Sequence, residues 1–331
     1  MSHTQVAQSP PLDEVADGRA PSWLRGIFMA NLVAQVGIVV TGGIVRLTGS
    51  GLGCPTWPEC VDGSVLPTER QAESWHKYVE FGNRLLTFVL VALAIAAVVG
   101  VWRWTVQRRR AGLTARRPII WLALAPILGT VAQAVLGGIT VLTGLHPAIV
   151  AAHFLLSMVI IAAVTVLVTR ANEPGDRPSR VAVPPAVRVL SALLVGVGAL
   201  VVVLGTIVTG AGPNSGDADV ATRFGIDQRV AAWLHADAVL LFVGLVVGLL
   251  VAVTVANVGT TSIRGRSIHL LGVTVVNGAV GYTQLFTSLP WALVATHMLL
   301  ACLVWIAVIR VYLATSTRGV APELDLSTPA T

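Results

Sequence analysis

The chain has 331 residues, 55% of them hydrophobic and 11% charged, with a formal net charge of +6. A soluble domain carries about a quarter charged residues, so this composition excludes one and indicates a membrane protein. The basic excess is no nucleic-acid footprint: Lys77 is the only lysine among 22 basic residues, and the arginines are distributed by loop, which is a topology signal.

In chain order, residues 1–22 are polar, rich in Pro, Ser and Asp, and lack the charged-then-apolar order of a secretory signal; they read as a disordered tail. Crossing a bilayer takes about 20 mostly apolar residues. Eight such windows follow, at roughly 24–46, 78–102, 118–143, 147–169, 186–210, 230–255, 267–288 and 290–314, and then a second polar tail at 317–331. Arg103, Arg108, Arg109, Arg110, Arg116 and Arg117 occupy the second loop, Arg170, Arg177, Arg180 and Arg188 the fourth, Arg264 and Arg266 the sixth. These alternate loops face the cytoplasm by the positive-inside rule. The expected architecture is an all-α, multi-pass protein of the cell (plasma) membrane with eight transmembrane helices and both termini cytoplasmic.

Helices 4 and 8 carry a repeated phrase. LHPAIVAAHFLL at 145–156 and LPWALVATHMLL at 289–300 agree at seven of twelve positions, histidine included. Upstream, Val131, Gln133 and Gly137 lie opposite Val275, Asn277 and Gly281, and TGSG at 48–51 matches TGAG at 209–212. Duplication of a four-helix unit accounts for this. The expected units are two pseudo-repeated four-helix bundles, 23–175 and 176–316.

His153 and His297 then sit about 10 Å beneath the outer surface by helix rise. Helix 6 adds His235 at similar depth, and helix 2 offers Asn83 in the fourth equivalent place. Polar groups inside a bilayer are costly. A single such histidine is usually a hydrogen-bonded bundle contact; two at matched depth on facing helices, His235 and His297, suit bis-imidazole heme ligation. On helix 2, Glu80, Asn83, Arg84 and Thr87 share one face. Glu80 and Arg84 form either a simple internal ion pair or a working group. In the second case Glu80 exchanges protons in a water-poor cavity and Arg84 meets a heme propionate.

The first outer loop reads GSGLGCPTWPEC. Cys54 and Cys60 are placed for a disulfide on the oxidising side, either structural or an exchanging redox pair. Cys302, alone in helix 8, reads as packing.

GGIVRLTGSGLGCPTWPEC at 42–60, the Glu-x-x-x-Arg core of EFGNR at 80–84 and the histidines of helices 4, 6 and 8 together resemble the heme A synthase family, over nearly all of 24–314. The resemblance implies an oxidoreductase that converts a methyl group of heme O to the formyl group of heme A, for terminal cytochrome oxidase. It implies a resident heme b on His235 and His297, and a substrate heme O in the N-terminal half with Glu80 catalytic and His153, Asn83 and Arg84 around it. It also matches Cys54 and Cys60 to the family's outer cysteine pair. Heme O synthase and an electron acceptor are the partners it raises. The chain departs from the family pattern at Asn83, where histidine is common, and at Ala236, where arginine often follows the helix 6 histidine. The substrate iron is then five-coordinate through His153, or His76 substitutes, or activity is lost; the first is preferred.

Two other classes compete: a b-type cytochrome subunit that transfers electrons without altering its heme, and a transporter. The near-absence of mid-membrane polar residues argues against the transporter, and the Glu80–Arg84 asymmetry between the halves argues against the cytochrome.

Overall fold

The computed structural model describes residues 19–69, 71–174, 179–213, 222–256 and 261–318. Most of both expected tails lies outside the described residues; Ser22 already begins a helix, and Ser316 and Thr317 form a strand. The described chain holds eight long helices: α1 (Ser22–Leu47), α2 (His76–Arg110), α3 (Arg117–Leu142), α4 (Pro147–Ala171), α5 (Pro185–Ala211), α6 (Gln228–Val255), α7 (Thr261–Phe286) and α8 (Trp291–Leu313). A two-residue strand pair, β1 (Arg180–Val181) and β2 (Ser316–Thr317), completes it.

Seven of these helices are long and apolar enough to cross a membrane. The one outside that set is α7, where Arg264, Arg266, His269, Asn277 and Gln284 dilute the apolar run. Helix α2 runs on past its apolar window to Arg110, carrying three arginines in its last turn. Cations there complement the carbonyl end of the helix. Large apolar side chains such as Phe88, Trp121 and Leu128 stand on the outside, an arrangement suited to lipid rather than water.

Local chemistry sets the helix starts. Pro147 and Pro185 open α4 and α5, where a missing N–H costs nothing. Asp227 caps α6 by accepting from the N–H groups of Arg229 (2.8 Å) and Val230 (3.1 Å). The two short turns that join α3 to α4 and α7 to α8 have the same backbone: Gly144 and Leu145 have φ of 59° and 59°, Ser288 and Leu289 of 62° and 58°. In each, the leucine N–H reaches back five residues, to Thr140 O (2.9 Å) and to Gln284 O (2.8 Å).

Helices α1 to α4 pack as a closed ring, α1 on α2, α2 on α3, α3 on α4 and α4 on α1; α5 to α8 close a second ring in the same order. The rings meet through α4 on α8, α1 on α8 and α4 on α5. Lipid tails are as apolar as leucine, so close packing holds such helices together. Glycines supply the closeness: the space a Cβ would take is filled by Met298 at Gly43, Leu24 at Gly100 and Ile160 at Gly129. Across the seam, Trp305 Nε1 donates to Met158 O at 2.9 Å. At the arginine-rich end, Glu173 pairs with Arg170 (2.8 Å) and Arg318 (3.2 Å), beside the β1–β2 ladder.

Candidate functional site

Four side chains occupy four similar niches. His153 of α4 lies against Gly137 of α3, His235 of α6 against Gly205 of α5, and His297 of α8 against Gly281 of α7; a Cβ on these glycines would stand 3.2, 3.3 and 3.1 Å from the imidazole Cε1. Asn83 of α2 lies against Gly42 of α1, with Nδ2 at 3.8 Å from the same construction. A missing methyl lets each flat group lie close along its neighbouring helix. His235 Nδ1 is 3.0 Å from Val201 O, a carbonyl one turn before Gly205. With the proton on Nδ1, Nε2 keeps its lone pair for a metal. His297 has the backbone of Asn277, one turn before Gly281, as its polar neighbour, while Nδ1 of His153 is buried and makes no hydrogen bond. His297 lies within electrostatic reach of His235.

Among the described residues no group of three or more His, Cys, Asp or Glu converges. An iron held by one or two of these imidazoles would need its remaining ligands from a macrocycle, as in heme. The donor set therefore fits heme and does not fit a metal bound by protein alone.

The N-terminal ring carries a second construction. Glu80 is buried, and its Oε2 accepts the Cys54 N–H at 2.7 Å. Its Oε1 accepts from Arg84 Nη2 (2.6 Å) and Nε (3.1 Å). Arg84 also donates to Cys54 O (2.8 Å), Thr56 O (3.1 Å) and Glu59 O (3.1 Å). All three of its nitrogens are thus engaged by Glu80 and the loop. Cys54 and Cys60 are joined in a disulfide. Trp57, inside that ring, fills the place of a side chain at Gly138 of α3, next to the glycine that faces His153. The loop roofs the N-terminal ring from α2 to α3.

The structure places the sequence candidates in three groups. Glu80, Arg84, Cys54 and Cys60 come together in one network. His235 and His297 face each other's field in the second ring. Asn83 and His153 share the four-niche pattern, and Asn83 Oδ1 accepts from Thr41 Oγ1 at 2.7 Å. His76 sits apart under the loop, with Nδ1 2.8 Å from Ser50 Oγ and its ring stacked on Trp75. The propionate contact expected of Arg84 finds its donors already used. Sequence reasoning missed Thr41, Trp57 and the four glycines as partners, although the alignment of Gly137 with Gly281 carried the signal for two of them.

Fold and site define a class: a helical, multi-pass membrane protein of two four-helix rings, with half-buried imidazoles at matched positions. Residues 25–309 match the family model COX15-CtaA, cytochrome oxidase assembly protein. The chain belongs to that family. It is 36% identical over 146 residues to a heme A synthase of Lysinibacillus sphaericus (44% of each chain) and 32% identical over 166 residues to one of Halalkalibacterium halodurans (49% of this chain, 50% of that one). It is 33% identical over 231 residues to one of a Methylobacterium species (62% of each). The aligned stretches thus span from 44% to 62% of these three relatives.

Proposed function

We propose that this chain is a heme A synthase, an oxidoreductase that takes heme O as substrate and oxidises one methyl substituent to a formyl group. The observation that carries the reading is the asymmetry of two otherwise similar rings. Equal glycine-backed niches hold imidazole in three places and Asn83 in the fourth. One turn outward from Asn83 stands the buried carboxylate Glu80, where α6 has Ala232. A cytochrome that only passes electrons needs no such difference.

In this reading the N-terminal half (23–175) holds the substrate and the C-terminal half (176–316) holds a resident heme b through His235 and His297. That heme supplies a route for electrons when bound. His153 holds the substrate iron from one side. Asn83, tied to Thr41, faces it without ligating. Glu80 takes a proton, or orients water, at the methyl carbon during two successive two-electron oxidations, in which water supplies the oxygen and an external electron acceptor takes the electrons, through an alcohol to an aldehyde hydrate that loses water. Arg84 holds Glu80 in place and fixes the loop over the site.

The shared turns at Gly144–Leu145 and Ser288–Leu289, and the matching ring contacts, support an internal duplication. With α7 as the eighth span and the arginine-rich loops inside, both termini are cytoplasmic and the membrane is the cell membrane. The product's use in terminal oxidases makes a heme O synthase a reasonable neighbour.

The experiment is pigment extraction from membranes supplied with heme O. The wild-type chain yields heme A. Glu80→Gln retains bound heme and stalls at heme O or the hydroxylated intermediate. Heme b alone, unchanged by added heme O, would make the chain a cytochrome.

A further inference from the structure

The interior of the N-terminal ring holds amides that the site does not use. Asn31 and Gln35 of α1 are 0% and 4% exposed. Asn31 Nδ2, Asn31 Oδ1 and Gln35 Nε2 make no hydrogen bond. The two lie one turn apart on a face that continues inward through Phe28 and Leu24 and outward to Gly42. Leu24 and Phe28 are buried against Trp104 of α2, Ile119 of α3 and Leu167 of α4, and Gly42 faces Asn83. The face is therefore turned into the ring. From α3, Gln133 Nε2 donates to His153 O (3.0 Å) and Ser157 Oγ (2.6 Å), while its Oε1 is buried with no partner. By helix rise, Gln133 lies about 6 Å inward of Gly137, Gln35 about 10 Å and Asn31 about 16 Å inward of Gly42.

Four buried amide atoms without partners would cost about 1–3 kcal/mol each. Lipid offers no hydrogen bonds to offset that. Water does: amide groups present donors and acceptors side by side, and a buried water makes about three hydrogen bonds to such groups. No carboxylate joins these amides to favour a cation, and no basic side chain joins them to favour an anion. The two amides of α1 have no counterpart on α5, although on α7 Asn277, aligned with Gln133, keeps a buried Oδ1 without a partner. Counting back from Gly205 as from Gly42, Leu194 stands in the place of Asn31 and Gly198 in that of Gln35. Leu194 is fully buried in an apolar cluster, and Gly198 faces Phe242 and Trp305.

We infer that Asn31, Gln35 and Gln133 line a water-holding chamber beneath the N-terminal site, closed on its inner side by Phe28 and Trp104. Its use rests on the function proposed above: it keeps water and exchangeable protons under the reacting methyl group. The chamber itself stands or falls independently of that use.

Radiolytic hydroxyl-radical labelling of the full chain tests it, because radicals form from water in place and oxidise even buried side chains beside bound water. Phe28, one turn from Asn31, should label several-fold faster than the equally buried Phe242. In Asn31→Leu/Gln35→Leu it should fall to the Phe242 level; if that chain elutes as aggregate, Gln35→Met is read in its place. Equal slow labelling of the two phenylalanines in the wild type would overturn the inference, as would Phe28 labelling unchanged in the variant. A chain that labels Phe28 but never produces heme A would keep the chamber and sink the enzymatic reading.

Discussion

Arg84 donates to the carbonyl of Cys54 at 2.8 Å, across thirty residues of chain. The same guanidinium holds Glu80, which in turn accepts the Cys54 N–H. Helix α2 thereby grips the disulfide ring by its backbone, and one cation serves both the proposed proton acceptor and its roof. Breaking a buried pair by removing one partner costs about 3–5 kcal/mol. Arg84→Ala should lose stability on that scale and expose the 54–60 loop to proteolysis. Arg84→Lys should recover little, since an ammonium lacks the planar fork that reaches Glu80 and three carbonyls together. Full recovery by lysine would reduce the interaction to charge alone.

Cys60→Ser should cost about 2–3 kcal/mol, as expected for opening so short a loop. Because Arg84 binds carbonyls of that loop, the Arg84→Ala/Cys60→Ser double variant should lose less than the sum of the two single losses. Denaturation of the four proteins in detergent measures the coupling; strict additivity would separate the clamp from the disulfide.

The glycine niches predict an effect confined to one ring at a time. Gly205→Val and Gly281→Val should displace His235 and His297 and weaken heme retention by roughly tenfold or more, the scale seen when the supports of metal ligands are lost. Gly137→Val should disturb His153 alone. Gly244→Val, where nothing lies within 4 Å, is the control. Heme per chain and the Soret band report each outcome; equal loss in the control would turn the effect into general misfolding.

Asn83→His places a fourth imidazole opposite Gly42. With heme O bound, the spectrum of the N-terminal site should move from a five-coordinate to a six-coordinate, low-spin form, and exchange of that heme should slow. His76→Ala should leave the spectrum unchanged, because His76 is held by Ser50 and Trp75 under the loop. A spectral change on losing His76 but none on losing His153 would reverse their roles.

Helix positions were legible in the sequence because each span must bury its backbone polar groups in a continuous apolar run. The repeated histidine phrase was legible because a polar residue stands out against such a background. Arg84 was harder: a carboxylate partner four residues away is visible in a sequence, but the carbonyls of Cys54, Thr56 and Glu59 are backbone atoms that every residue has. Asn31 and Gln35 passed unnoticed for the opposite reason, since isolated amides disappear in a window average, and the expectation of few mid-membrane polar groups missed them. The direction each faces depends on the ring closure of α1 with α2 and α4, which no local pattern records.

The left-handed turns at Gly144–Leu145 and Ser288–Leu289 bear on assembly. They leave α3 and α4, or α7 and α8, little slack to separate, so His153 and His297 should enter the bilayer already seated on Gly137 and Gly281, each as part of a hairpin. Half of each pocket is then built during insertion, and only the meeting of hairpins remains. In the function proposed above, a pigment arriving early would find one wall waiting for it, and the chain's order of synthesis would set the order in which its two halves become able to fill.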